Sequence, residues 1–281
     1  MAMRAVGIYR EPEFSPGKVE ADAAIIDAVL AELRQEGLQT EAMAASRFVT
    51  EGLATPALAL AMCQGERALS RLAAAEKAGA VVLNSALAIR NCYRDLLGAG
   101  LTHAGVPTPE GAVVRTAEPL DLKPLRALDL SAPMYVKRGD LHALGPHDVR
   151  RVEGLEQLEA TLLRFARRNV PLVYVQQEAV GEVVKFYGVG GSEYFAAIPE
   201  AEGFVTDASK RALSRSAAAA AAALGLEVWG GDAVMHGDRY SIIDFNDWPS
   251  FSRVRAEAAR AIARRALRLM RRHEIGADAN A

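Results

Sequence analysis

Asp232, Asp244 and Asn246 are the residues whose types and spacing best suit chemistry, because two carboxylates and an amide are hard oxygen donors. Asp244 and Asn246 stand at the end of the apolar run Ser241 to Phe245, shortly before Pro249. Proline cannot donate to a ladder, so this strand stops near Asp247. Strand alternation points Asp244 and Asn246 the same way, about 7 Å apart along the backbone. A second apolar run, Leu226 to Met235, carries Asp232, and His236-Gly237-Asp238-Arg239 between the runs is a turn signal, so the two form a hairpin. Its register decides what Asp232 can do. The local turn chemistry favours a two-residue loop at Gly237-Asp238, which sets Asp232 opposite Ile243 on the wrong face. A three-residue loop or a bulge sets it opposite Asp244. In that second register the three side chains make an all-oxygen site suited to Mg²⁺ rather than to a transition metal. In the first, they are strand-end turn formers.

Cations are spaced along the rest of the chain. Lys137 follows an apolar strand and opens a glycine-containing loop, Arg138 to Gly145, where an ammonium can meet phosphate oxygens and where Arg138 and His142 are offered to a substrate. Lys185 lies among apolar residues, which requires an anionic partner or an edge strand with the ammonium in water. Gln177 and Glu178 end the strand Pro171 to Val180, and Gly181 makes the joint to the next strand, exposing bare backbone to a ligand. Arg10, Lys18 and Gln64 follow strands of an α/β pattern, where ligands usually bind. Arg10, Arg90, Arg94, Arg138 and Arg253 together point to a small anionic substrate, carboxylate or phosphate.

The elements that must position these groups are legible as periodicities. Strands are expected at Ala5 to Tyr9, Gln39 to Ala44, Leu58 to Cys63 and Ala80 to Leu83, with helices Val19 to Gln35 and Glu66 to Ala78 closed by Gly37 and Gly79. That is a parallel α/β unit. Asn84-Ser85 caps one long helix, Ala86 to Ala104, ahead of Gly105-Val-Pro-Thr-Pro109. Further helices are expected over Leu155 to Arg168, from Thr206 or Asp207 to Gly225, and over Arg253 to Arg272, the last with a solvated arginine face. A chain of 281 residues divides into two or three lobes. A net charge of −2 argues against nucleic acid or an anionic membrane as partner. Cys63 and Cys92 make neither a disulfide framework nor a zinc site. No basic leader and no apolar run of membrane-spanning length stands out, so a cytoplasmic protein is expected.

The order of these features resembles the ATP-grasp superfamily over residues 80–255. Asn84-Ser85, Arg90-Asn-Cys-Tyr93 and Gly105 to Pro109 look like its approach segment. Lys137 matches its central phosphate-binding lysine, and Gln177-Glu178-Ala179-Val180 is similar to the hinge whose glutamate and backbone hold adenine. Lys185 matches a basic residue facing the phosphates, and Asp232, Asp244 and Asn246 match the metal ligands, with Pro249 following. The chain departs from the pattern at Arg94-Asp95, where many relatives have an aspartate followed by a lysine. Two further departures are a loop after Lys137 with few glycines and Ser250-Phe-Ser252-Arg253 after the proline. The resemblance implies an ATP-grasp architecture, α/β and α+β, with an N-terminal parallel α/β substrate lobe (1–85), a connecting helix and linker (86–110), and central (111–178) and C-terminal (179–281) lobes clasping nucleotide. It further implies ATP and Mg²⁺ as cofactors, with Lys137, Lys185 and Arg138 in catalytic roles and a homodimer left open. The stretch Asp244-Phe-Asn-Asp-Trp-Pro249 is similar both to glutamate-adding peptide ligases and to inositol-trisphosphate kinases. A carboxylate-amine ligase is therefore the first implication, a small-molecule kinase the alternative, and an inactive nucleotide-binding protein the third.

Overall fold

The computed structural model describes residues 4–54, 58–141, 145–190, 193–201, 203 and 205–278; His142 lies outside them. The first unit runs β1 (Arg4–Ile8), α1 (Val19–Gln35), β2 (Gln39–Met43), α2 (Ala45–Glu51), β3 (Leu58–Ala61), α3 (Glu66–Lys77) and β4 (Val81–Leu83). Its strands are parallel in the order β2-β1-β3-β4, and a parallel sheet needs cover on both faces. Ala5, Leu58 and Leu60 face α1, whose Ile25, Ile26, Val29 and Leu33 recur at helical spacing. Val6, Ile8, Ala59 and Ala61 face the other way, against Phe48, Leu69 and Leu72. The periodicities located these elements except α2, a helix of only 7 residues with no sustained pattern.

The long helix expected at Ala86 to Ala104 is two, α4 (Ala86–Asn91) and α5 (Arg94–His103). Tyr93 is the extended residue between them; its hydroxyl donates to the Gln64 carbonyl and its ring lies 4.9 Å from the Arg90 guanidinium. This break swings Arg94 inward, where it is 5% exposed. Asn84, fully buried, accepts from the Glu227 and Val228 amides and donates to the Val228 carbonyl, tying the first unit to the last.

Next come β5 (Gly111–Arg115), β6 (Met134–Arg138), β7 (Val149–Val152), α6 (Gly154–Arg167) and β8 (Leu172–Gln177), an antiparallel sheet ordered β5-β8-β6-β7. Leu158, Leu162 and Phe165 of α6 cover one face. Lys137 lies within β6, paired with Val149 and Tyr174, and not past its end. The last unit is β9 (Glu182–Val189), β10 (Tyr194–Pro199), α7 (Asp207–Leu224), β11 (Val228–His236), β12 (Arg239–Asp247) and α8 (Arg255–Asp278), its strands antiparallel in the order β10-β9-β11-β12. Thr206 caps α7 by accepting from the Ser209 amide, and Gly225 ends it in a left-handed conformation. The alanines of α7 let it lie close on Phe186, Trp229 and Phe245. Helix α8 packs on both α1 and β9 of its own sheet, joining the cores of the first and last units through Ala258, Ala261 and Ile262. Among the described residues no helix is long and apolar enough to cross a membrane.

Candidate active site

The β11-β12 hairpin combines the two registers that its sequence allows. Its loop is the two-residue Gly237-Asp238, with His236 opposite Arg239 and Ala233 opposite Ile242, and then a bulge leaves Ile243 without a partner and sets Asp232 opposite Asp244. The bulge explains an otherwise impossible spacing. Ile242 and Phe245 are three apart, yet both reach the core beneath α7, whereas unbroken alternation would send them to opposite faces. Past the bulge, Asp244 and Asn246 share the other face with Asp232, and the neighbouring β9 sets Lys185 beside Asp232 and Tyr187 beside Gly230. Gly230 is required there, since a Cβ would stand 2.8 Å from both the Phe186 carbonyl oxygen and Pro249.

Each carboxylate already holds a cation. Lys185 Nζ donates to Asp232 at 3.0 Å and lies 3.0 Å from Glu200; Arg94 donates to Asp244 at 3.1 Å. Lys185 is on an interior strand of its sheet, so of the two arrangements open to it the structure shows the anionic partner and not the edge position. Burial, the largest effect, pulls its ammonium pKa down, but Asp232 and Glu200 outweigh it and the net direction is up. Asp232 is held above the usual carboxylate range by burial and then by the charge of Asp244, with Lys185 opposing. Two crowded carboxylates, one of them with its proton affinity raised, are what a divalent cation relieves. Among the described residues no three His, Cys, Asp or Glu side chains gather as a metal cage; a third donor here would have to be the Asn246 amide. Such a partial oxygen set fits Mg²⁺, which is commonly held by one or two carboxylates and completed by substrate phosphates.

The bulge has a second consequence. Lys137 Nζ donates to the freed Ile243 carbonyl at 2.8 Å and to Gln176 at 2.7 Å. Lys137 is 7% exposed, and its pKa is lowered to about 8 by burial, then by Arg94, with Asp244 and Asp232 opposing.

A cleft of about 730 Å³ lies over this face. Asp232, Asp244, Asn246, Lys185, Arg94 and Arg253 line it, as do Arg10, Lys18 and Gln64 from the first unit. Lys137 stands behind its wall, facing a space of about 10 Å³ shared with Arg94 and Asp244. Arg138 turns away and pairs with Asp140 at 2.7 Å, and Arg90 pairs with Glu66 at 2.7 Å. Glu178 takes Arg151 at 2.8 and 2.9 Å, and Gln177 holds the Asp129 to Pro133 loop through Asp129 and the Pro133 carbonyl. Residues 177–180 therefore do not line the cleft.

Arg10 and Gln64 reach the cleft but are committed to structure. Arg10 donates to Asp22 and to the Asp247 and Trp248 carbonyls, and Gln64 donates to Asp247 at 2.9 Å. They brace the chain just beyond Asn246, where Trp248 adopts a positive φ of 38°. Asp22 also accepts from Ser15. Sequence reading missed Asp22, although an acid in step with Ile25, Ile26 and Val29 on a helix's buried face signals a hidden cation.

No protein-family model matches the chain, and no curated protein matches it. Solved structures do. D-alanine–D-alanine ligase from Coxiella burnetii superposes with a TM-score of 0.74 at 11% identity, covering 98% of this chain and 97% of that one. The Bacillus anthracis D-alanine–D-alanine ligase complexed with ATP gives 0.73 at 15%, covering 96% and 99%. The ATP-grasp ligase PsnB complexed with minimal precursor gives 0.65 at 17%, covering 96% and 100%. The likeness is one of fold, and the fold is that of the ATP-grasp proteins.

Proposed function

We propose that this chain is an ATP- and Mg²⁺-dependent ligase that activates a substrate carboxylate as an acyl phosphate for attack by an amine. The observation that carries the reading is the convergence of Asp232, Asp244 and Asn246 with Lys185 and Arg94 in one cleft. When bound, Mg²⁺ would draw charge from the ATP phosphates. Asp232, Asp244 and Asn246 would hold it, while Lys185 and Arg94 neutralise the transferring phosphoryl group, Lys137 adds its charge from behind the cleft wall, and Arg253 and Lys18 hold the acceptor carboxylate. The carboxylate oxygen bonds to the γ-phosphorus as the bond to the β,γ-bridging oxygen breaks, and that electron pair leaves with ADP. An amine then adds to the acyl carbon, loses a proton and expels phosphate. The neighbours named ligases support this chemistry at the level of fold.

The cleft favours a carboxylate acceptor over an alcohol. An alcohol must lose a proton as it attacks and calls for a general base. Of the acids lining the cleft, Asp22 is held by Arg10, Asp232 by Lys185, Asp244 by Arg94 and Asp247 by Gln64. Among the described residues no histidine lines it. A carboxylate nucleophile needs no base for phosphoryl transfer, and the proton the amine later loses can leave on the expelled phosphate.

Titration calorimetry of ATP with and without Mg²⁺, on the wild type and on Asp244→Ala, tests the reading. Binding should need both the metal and Asp244, with a loss of at least about tenfold, or ~1.4 kcal/mol, in the variant. Equal affinity in all four titrations would overturn the metal site. Phosphoester formed from polyols, with no acyl transfer, would establish the kinase instead.

A further inference from the structure

A second cavity, about 790 Å³, opens in the first unit at the C-terminal ends of β1, β2 and β3. Its walls are the loop after β1 with Tyr9 and Phe14, the α1 face with Val19 and Ala23, the start of α2 with Ala44 and Ala45, and Ala68 of α3. Small residues make the room: four alanines line a space whose other apolar walls include Tyr9, Phe14, Val19 and Val49. Val19 at its mouth is 44% exposed, an apolar side chain left in water. Beneath them Glu11 is spent on structure, its carboxylate accepting from the Gln64 and Gly65 amides at 3.0 and 3.1 Å. The remaining charges are Glu13, Glu66 and Arg67, besides the Arg10–Asp22 pair. Glu66 is paired with Arg90, which leaves Glu11 and Glu13 against Arg67, so acids outnumber cations and the cavity repels a second carboxylate or a phosphate. Arg10, Asp22 and Phe14 line both this recess and the metal-bearing cleft, so the two adjoin.

We propose that the recess receives the apolar body of the acid whose carboxylate is activated in the cleft: a monocarboxylic acid with a branched aliphatic or aryl group. This rests on the ligase reading and gives its substrate class. The cleft supplies cations for one carboxylate, and the recess supplies apolar area for the remainder. Ligand pockets of this size, largely apolar with few polar groups, sit at such strand ends.

The test uses acetate, butanoate, 4-methylpentanoate and 3-phenylpropanoate with ATP, Mg²⁺ and hydroxylamine. Hydroxylamine attacks the acyl phosphate and releases phosphate, leaving a hydroxamate that is scored with ADP. On wild type, kcat/KM should climb about fourfold per buried methylene along the aliphatic series. Ala23→Leu and Ala44→Phe, which fill the recess from two sides, should flatten the series at least tenfold for the longest acids while ATP·Mg²⁺ affinity by calorimetry stays unchanged. Ala44 is exposed and its substitution leaves the core intact, so it answers if Ala23→Leu does not fold. A flat wild-type series, or a slope that survives both substitutions, overturns the proposal. Should none of the acids be turned over, calorimetric titration of the same acids decides separately. Chain-length-dependent binding lost in the filled variants would keep the recess and remove the ligase reading, whereas its absence would remove the recess.

Discussion

Lys137 shows how a residue's surroundings set its chemistry. The spacing predicts a phosphate-facing ammonium at a strand end. In the structure it is within the strand, buried, bonded to Gln176 and Ile243, with a pKa lowered to about 8 from an ordinary 10.5. Between those values the folded chain binds fewer protons at this site than the unfolded chain, so stability should rise with pH across that interval. Urea unfolding from pH 8 to 10 should show the rise, and Lys137→Met should lose it; an unchanged slope would place the shift elsewhere. For the free protein, kcat/KM for ATP should fall above about pH 8 as the ammonium is lost, and Lys137→Arg should carry the limb upward. Not every site residue was legible. Asp244 and Asn246 announce themselves because polar oxygens interrupt an apolar strand. Arg94 is named among the cations, but its pairing with Asp244 is not legible, because it depends on a helix break at Tyr93 that the unbroken apolar periodicity of residues 86–104 conceals.

The hairpin and β9 carry the same lesson to the scale of elements. Strand existence was readable from apolar runs, but register was not, since turn chemistry alone favours the arrangement with Ile243 facing the site. The bulge that corrects it answers a tertiary demand: Ile242 and Phe245 must both reach the core, and local propensity does not encode that demand. Strand β9 positions Lys185 through equally tight packing. Its Gly188 lies under Trp229, where a Cβ would come within 2.1 Å of the indole ring. Gly188→Ala should therefore destabilise by about 1–3 kcal/mol, read in urea unfolding. Because the shifted strand also carries Lys185, Mg²⁺-dependent ATP affinity should weaken with it. A stability loss with intact affinity would show that β9 adjusts without moving its lysine.

At the scale of the whole molecule, the parallel sheet could be anticipated from periodicities and the two further lobes from the family resemblance, whereas the joining of the first unit to the last could not. Pairing α1 with α8 is a contact between distant segments, and each helix alone reads only as amphipathic. Ile262 of α8 is fully buried in the core that also holds Ala5, Ile25 and Leu58. Ile262→Ala should destabilise by about 2–5 kcal/mol, and hydrogen exchange should quicken in α1 and β1 as well as in α8. Loss of protection confined to α8 would mean that the two units stand independently. The shared core also bears on the order in which the chain becomes structured during synthesis. The β1-α1 segment leaves the ribosome early, but the helix that shields its apolar face is the last described element to emerge. Until then α1 is covered by its own sheet but not on the side that α8 takes, and a nascent polypeptide halted before α8 should be a client for chaperones that hold exposed apolar surface.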